Sequence, residues 1–231
     1  MNSLLESKDY ILNRTANFLD SNNIYNEYEV QYILGCIKNI SFPEIYSTEM
    51  VREILDELDL IPKKYNIYDD YIDFINSIHN ISEKNILEVG GGAIPRLGER
   101  IKLHQSKGTI TVYDPRLYKT QEEGKLKLKK SKVTEFNDVS DIDLIIGLMP
   151  CKGAEDLLQL ALKNKIDFIV WLCEGGPHGD CYDFFEDENE WRDCLISTAE
   201  DGIKKQNMGK LKIKSIPKYS YKYPIIYNDR N

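Results

Sequence analysis

Asn85-Ile-Leu-Glu-Val-Gly-Gly-Gly-Ala-Ile-Pro95 is the stretch whose reading decides the fold. An apolar run carries one carboxylate, Glu88, and breaks into three consecutive glycines, Gly90, Gly91 and Gly92. Glycine serves where the backbone must take positive φ or come close to another group, because a Cβ would collide. The next residues, Arg96-Leu-Gly-Glu-Arg-Ile-Lys-Leu-His104, space Leu97, Ile101 and His104 as one helical face behind Pro95. Strand, glycine turn and helix together predict the opening unit of a nucleotide-binding α/β sheet.

Downstream, short apolar runs alternate with helical segments. Residues 109–113 read as a second strand ending at Asp114, and residues 132–136 as a third, followed by Asn137-Asp138. Residues 143–149 read as a fourth strand closed by Met149 and followed by Pro150-Cys151. A helix over 153–163 leads to a fifth strand, 168–173. Near-continuous apolar runs belong to strands covered on both faces, as in a parallel sheet. The tail differs: 210–216 alternates polar and apolar residues, and a second run, 219–227, follows at once. Strands so close in sequence pair antiparallel, since a parallel connection needs a long crossover.

Upstream, apolar residues at helical spacing predict helices over 4–19, 27–38, about 47–58 and 69–79. The expected fold is therefore α/β. It is a Rossmann-like, doubly wound sheet, mostly parallel with an antiparallel C-terminal hairpin, preceded by an N-terminal helical segment. The expected division is 1–80 for that segment, read as a cap that selects substrate, and 81–231 for the sheet domain.

Composition narrows the partners. The chain has 231 residues, 42% of them hydrophobic and 29% charged, which is enough to bury a real core. No apolar run approaches the roughly 18–20 residues of a membrane helix, and the start lacks an apolar signal core. Five scattered cysteines suit reduced thiols in a cytoplasm rather than a disulfide framework. A net charge of -8 repels phosphate backbones, so nucleic acid is an unlikely partner. The lysine-rich block Lys125-Leu-Lys-Leu-Lys-Lys-Ser-Lys132 reads as a solvated face leading into a strand, and 186–190 as acidic surface.

Two cofactor classes compete for the turn. Dinucleotides place a diphosphate on the helix N-terminus and favour Gly-x-Gly-x-x-Gly, whereas here Pro95 stands where the last glycine would be. Glu88 would repel a diphosphate and attract a ligand bearing an ammonium group and a sulfonium. On Glu88-Val-Gly-Gly-Gly92 the chain resembles the class I S-adenosylmethionine-dependent methyltransferases, whose motif is acidic-x-Gly-x-Gly. The family's further glycine is Ile94 here. The resemblance covers roughly residues 82–231. It implies S-adenosyl-L-methionine as cofactor, held at Glu88, Gly90, Gly91, Gly92 and Pro95 and beside Met149. It also implies a ribose contact from Asp114, which could otherwise initiate a turn, and an adenine-side contact from Asn137 and Asp138. The terminal hairpin fits the family's antiparallel last strand.

The fifth strand runs into Cys173-Glu-Gly-Gly-Pro-His-Gly-Asp-Cys181, which gathers titratable groups at the end of the sheet where ligands sit. A hydroxyl or amine acceptor needs a base; His178 is the first candidate, with Glu174 and Asp180 behind it. Cys151, Cys173, His178 and Cys181 include enough ligands for zinc, yet their spacing fits no standard pair of knuckles, and no metal is assigned. His79, His104 and Trp171 read as structural, and Trp191 as packing on the sheet. The expected activity is methyl transfer to a small molecule. The alternatives are an NAD(P)-dependent oxidoreductase, an aminocarboxypropyl transferase using the same cofactor, and a non-catalytic interaction module.

Overall fold

The computed structural model describes residues 8–22, 27–39, 51, 54, 55, 58, 60, 67–135, 139–172, 188–216 and 224–230. The chain divides into two compact units. One is Met1–Ile67 with Gly92–Ile94; the other is Tyr68–Gly91 with Pro95–Asn231.

In the first unit, helices α1 (Lys8–Asn22) and α2 (Glu27–Asn39) pack together. Ile11, Thr15 and Leu19 recur every four residues, so they share one face of α1, and all three are buried. Ile33, Cys36 and Ile37 of α2 join Ile11, Leu19, Val51, Ile54 and Leu55 in one apolar cluster. Most of the helix expected over 47–58 lies outside the described residues.

The second unit is a seven-stranded sheet. Its strands are β1 (Ile86–Val89), β2 (Ile110–Tyr113), β3 (Leu126–Lys129), β4 (Leu144–Leu148), β5 (Asp167–Trp171), β6 (Lys210–Lys214) and β7 (Ile225–Asp229). The order is β3-β2-β1-β4-β5-β7-β6. β1 through β5 are parallel; β7 runs antiparallel to β5 and β6 antiparallel to β7. This is the doubly wound, mostly parallel sheet with an antiparallel C-terminal pair that the apolar runs predict.

Both faces are covered. On one lie α3 (Ile67–Ile78) and α4 (Arg96–His104), tied to each other by Arg100 and Asp69 at 3.0 Å. Tyr71 of α3 packs against Trp171, with ring centroids 5.8 Å apart. Its hydroxyl donates to the carbonyls of Gly147 (3.0 Å) and Ile169 (2.8 Å), and burial pushes its pKa well above the ordinary tyrosine value. The other face carries α5 (Gly153–Asn164), against which α6 (Glu188–Gln206) packs. Trp191 of α6 donates its indole N–H to Glu155 of α5 at 2.8 Å, so its polar contact is with a helix. His104 is exposed, and the inward residue at the end of α4 is Gln105, whose amide donates to the carbonyls of Ile81 and Lys84.

The third strand departs from the sequence reading. It lies at Leu126–Lys129, inside the lysine-rich block, while Val133–Glu135 forms a short 3-10 turn. β3 is an edge strand, so alternation replaces a continuous apolar run. Leu126 and Leu128 are buried, Lys127 and Lys129 are half-buried, and the Lys129 ammonium pairs with the Glu122 carboxylate. Asn137 and Asp138 therefore do not directly follow the strand, and they lie outside the described residues. At the opposite edge, β6 repeats the alternation in Lys210-Leu-Lys-Ile-Lys214, with Ile213 51% exposed.

Candidate functional site

Strand order reverses between β1 and β4, because β2 and β3 lie on one side of β1 while β4 and β5 lie on the other. In open α/β sheets the ligand crevice opens at such a reversal, at the carboxyl ends of the strands. The glycine turn follows β1 there. Gly90 has φ of 78° and Gly92 φ of 76°, in the left-handed region where a Cβ is strained. The Gly90 N–H donates to the Tyr113 carbonyl at 2.9 Å, holding the turn to the end of β2. A Cβ on Gly90 would stand 2.7 Å from the Pro150 Cβ, so the turns after β1 and β4 are in direct contact.

Glu88 sits in the middle of β1, in register with Val112 on β2 and Ile146 on β4, and is 2% exposed. A buried carboxylate in an apolar row needs compensation. Its two oxygens point toward Gly91 and Gly98: a Cβ built on Gly98 would lie 2.9 Å from Oε2, and one on Gly91 3.3 Å from Oε1. Gly98 is in the first turn of α4, where unshared backbone N–H groups and the helix dipole favour a negative charge. Glu88 thus lies beneath the turn, against the helix start.

Gly98 is a residue that sequence reasoning passed over. Its missing Cβ lets α4 approach the sheet; with one, Val112 would be at 2.8 Å and Leu126 at 3.1 Å. The close helix packing that Pro95 does not supply is supplied three residues later. The signal was present in the sequence as a fourth glycine one turn into the helix, in phase with Leu97 and Ile101. Pro95 itself is the residue preceding the helix, with φ of -79°.

The turn after β4 is strained. Met149 and Cys151 have φ of 51° and 48°, uncommon for side-chain-bearing residues and doubly so around a proline. Strain of this kind persists only where surrounding structure over-determines it, and it clusters at working sites. Here the Met149 N–H donates to the Trp171 carbonyl at 2.7 Å, and the Pro150 and Cys151 carbonyls accept from Gly153 and Ala154 as α5 begins. Burial, and then the neighbouring Glu155, push the Asp156 carboxyl above its usual value, with Lys132 and Lys152 opposing.

Asp114 closes β2, 3% exposed. It makes the turn that its position before Pro115 suggests: the Arg116 N–H donates to Oδ1 at 2.7 Å. The Arg116 side chain adds Nε to Oδ1 at 3.2 Å and Nη2 to Oδ2 at 3.1 Å. Arg116 was not a sequence candidate. Glu88, Gly90, Gly91, Asp114 and Met149 all lie at or next to the carboxyl ends of β1, β2 and β4. Glu174, His178 and Asp180, with Cys173 and Cys181, lie outside the described residues. Cys151 is half-buried, its thiol donating to the Met149 carbonyl at 3.5 Å, and no group of three metal-ligating side chains gathers among the described residues.

An adenosine-bearing cofactor fits this turn. Gly90 takes a positive φ that suits glycine, the missing Cβ of Gly91 leaves room beneath the turn for Val112 and the Glu88 carboxylate, and a second buried carboxylate, Asp114, stands one strand away. A polar depression near Asp143, Lys165, Asp167 and Arg230 lies instead at the amino ends of β4 and β5. Its charged groups are taken up locally: Arg230 binds Asp167 at 2.6 Å, and Asp143 accepts from the Asn85 N–H at 2.8 Å. It is the lesser candidate.

No protein-family profile matches the chain, and no curated protein sequence matches it. Among solved structures it is similar to the fibrillarin pre-rRNA processing protein of Methanococcus jannaschii, at 18% identity and a TM-score of 0.44 over 65% of this chain and 68% of that one. Human N-acetylserotonin methyltransferase in complex with SAM gives 14% identity and a TM-score of 0.44, over 95% of this chain and 66% of that one. Magnesium protoporphyrin IX methyltransferase from Synechocystis PCC 6803 with bound SAM gives 10% identity and 0.44, over 98% of each. Likeness of this degree carries no argument about what the site binds. No helix among the described residues is long and apolar enough to cross a membrane.

Proposed function

We propose that the chain is an S-adenosylmethionine-dependent methyltransferase with a small-molecule acceptor, working in the reducing cytoplasm. One observation carries the reading. The acidic-x-Gly-x-Gly turn stands at the β1/β4 reversal of a sheet whose last two strands form an antiparallel pair, β7 lying between β5 and β6. The dinucleotide fold instead continues as β4, β5, β6 in order.

When bound, the cofactor supplies an electrophilic methyl group on a sulfonium. Gly90, Gly91 and Gly92, with Pro95 at the helix start and Met149 alongside, would hold its amino-acid end. The buried charge of Glu88 favours a cationic ligand over a diphosphate at that turn. Asp114 would take the ribose, and Asn137 and Asp138 the adenine side. The acceptor's proton would go to His178, with Glu174 and Asp180 as the next bases. Alignment of nucleophile and methyl group is the main catalytic demand of such a displacement, and residues 1–80 would carry acceptor selection.

Titration calorimetry with S-adenosylmethionine, S-adenosylhomocysteine, NAD and NADP tests the cofactor. The sulfonium and its demethylated product should bind and the dinucleotides should not; binding of a dinucleotide alone would sink the proposal. A second reading, an NAD(P)-dependent oxidoreductase, keeps one specific support: Gly98 provides the close helix approach that the position of Pro95 denies. Mass analysis of products then separates methyl from aminocarboxypropyl transfer, and binding without turnover on any acceptor pool would mark an interaction module.

A further inference from the structure

Asp114 is nearly inaccessible, and one neighbour answers it with three donors. The Arg116 backbone N–H and Nε both reach Oδ1, at 2.7 and 3.2 Å, and Nη2 reaches Oδ2 at 3.1 Å. An ionised carboxylate offers about four lone-pair positions. Arg116 takes three of them and spans both oxygens. A ribose 2′,3′-diol, two O–H donors on adjacent carbons, would address the same pair of oxygens.

The three donors are not equally fixed. The backbone N–H belongs to a tight turn, in which the Asp114 carbonyl also accepts from the Leu117 N–H at 3.3 Å. It keeps the carboxylate oriented whatever happens to the side chain. The guanidinium sits on a side chain 38% exposed, so water can solvate it when it swings away. Ion pairs open to solvent on one side contribute modestly and weaken as salt rises.

We infer that Arg116 is an affinity-setting latch on the nucleoside site: its guanidinium occupies the Asp114 carboxylate and must give way to the ribose hydroxyls. The inference rests on the cofactor reading above. It names a residue that competes with the ligand where a sequence reading sees only a carboxylate that receives it. The exchange trades two charge-assisted N–H bonds for two O–H bonds, while the backbone N–H on Oδ1 stays in place and preorganises the acceptor.

The test compares the native protein with Arg116→Ala and with Arg116→Met, which keeps the stem, by titration calorimetry. Three probes are used: S-adenosylhomocysteine, 5′-methylthioadenosine and 2′-deoxyadenosine. Both variants should bind the first two about fivefold more tightly than the native protein does. The gain should be the same for both, because they share the diol, and should fall away for 2′-deoxyadenosine. Raising the salt concentration should narrow the gap between native and variant, which a merely structural role would not produce. Equal or weaker binding by the variants, with their thermal unfolding unchanged, would overturn the latch while leaving the cofactor reading intact. Failure of the native protein and both variants to bind any of the three probes would overturn the cofactor reading, and the latch with it.

Discussion

The two ends of the parallel sheet are built on opposite plans. At the amino ends, polar side chains stitch strands together. The Asn85 amide oxygen accepts from both the N–H and the hydroxyl of Thr109, and the Asp143 carboxylate accepts from the Asn85 N–H. Asn228, 1% exposed, accepts from the Phe168 N–H at 2.8 Å and donates to Asp167 and the Met208 carbonyl. Arg230 closes the group by donating to Asp167 and to the Lys165 carbonyl. At the carboxyl ends the corresponding positions hold bare backbone, positive-φ residues and carboxylates lying under turns. One end ties strands together through side-chain hydrogen bonds; the other is shaped by close backbone approaches and glycine conformations. On the proposed function, stability and binding fall to different ends of the same strands, and they should be separable by mutation.

The largest effect should come from Gly90→Val. The Cβ would meet Pro150 at 2.7 Å in a backbone region hostile to side chains, so ligand binding should vanish in calorimetry, with several degrees lost in Tm. Retained binding would break the contrast. Asn228→Ala should do the reverse: it leaves the Phe168 N–H and the Asp167 carboxylate short of partners, costing about 2–4 kcal/mol in chemical denaturation while cofactor Kd stays put. A matching loss of affinity would show the two ends to be coupled.

A pH effect also belongs to the amino end. Burial lowers the pKa of His79 from its ordinary 6.5, with Lys84 and Arg230 adding to the shift and Asp167 and Asp229 opposing it. A depressed base is favoured in its neutral form by the fold. Its contribution is therefore complete above pH 6.5 and is lost as pH falls from 6.5 through the folded pKa, where the unfolded chain takes the proton first. Tm should decline over that window, and His79→Phe should flatten the decline. The smallest effect is expected at Cys151, whose left-handed backbone suits asparagine. Cys151→Asn should change stability by about 0.5 kcal/mol or less, because relief of backbone strain offsets loss of a half-buried thiol.

How much of this was written plainly in the sequence depended on the physical signal. Strands covered on both faces, 86–89, 144–148 and 167–171, announce themselves as apolar runs. β3 did not, because an edge strand needs only Leu126 and Leu128 inside and its lysines pass for surface. The glycine turn was legible, since positive φ leaves little choice of residue. Gly98 stood in phase on its helix, yet neither its role nor that of Arg116 was legible, because each acts through a neighbour across the sheet or turn, and one-dimensional spacing does not show which side chains meet. For the same reason Asp114 showed its carboxylate and hid its occupant. Helix α3, counted by sequence with residues 1–80, spends its Tyr71 on strand carbonyls of β4 and β5, a tertiary contact that helical periodicity cannot express.

The two outer strands share one spelling, Lys-Leu-Lys, although five strands separate them and they run through different surroundings. At β6 a strand arriving from another molecule would have to lay its backbone about 4.8 Å away beside Lys210, Lys212 and Lys214. If the newcomer were a second copy, lysine would face lysine. Polymerisation through the β6 border is therefore opposed by charge, even with Ile213 left open to water, while at the β3 border Leu128 already exchanges backbone hydrogen bonds with Gln121.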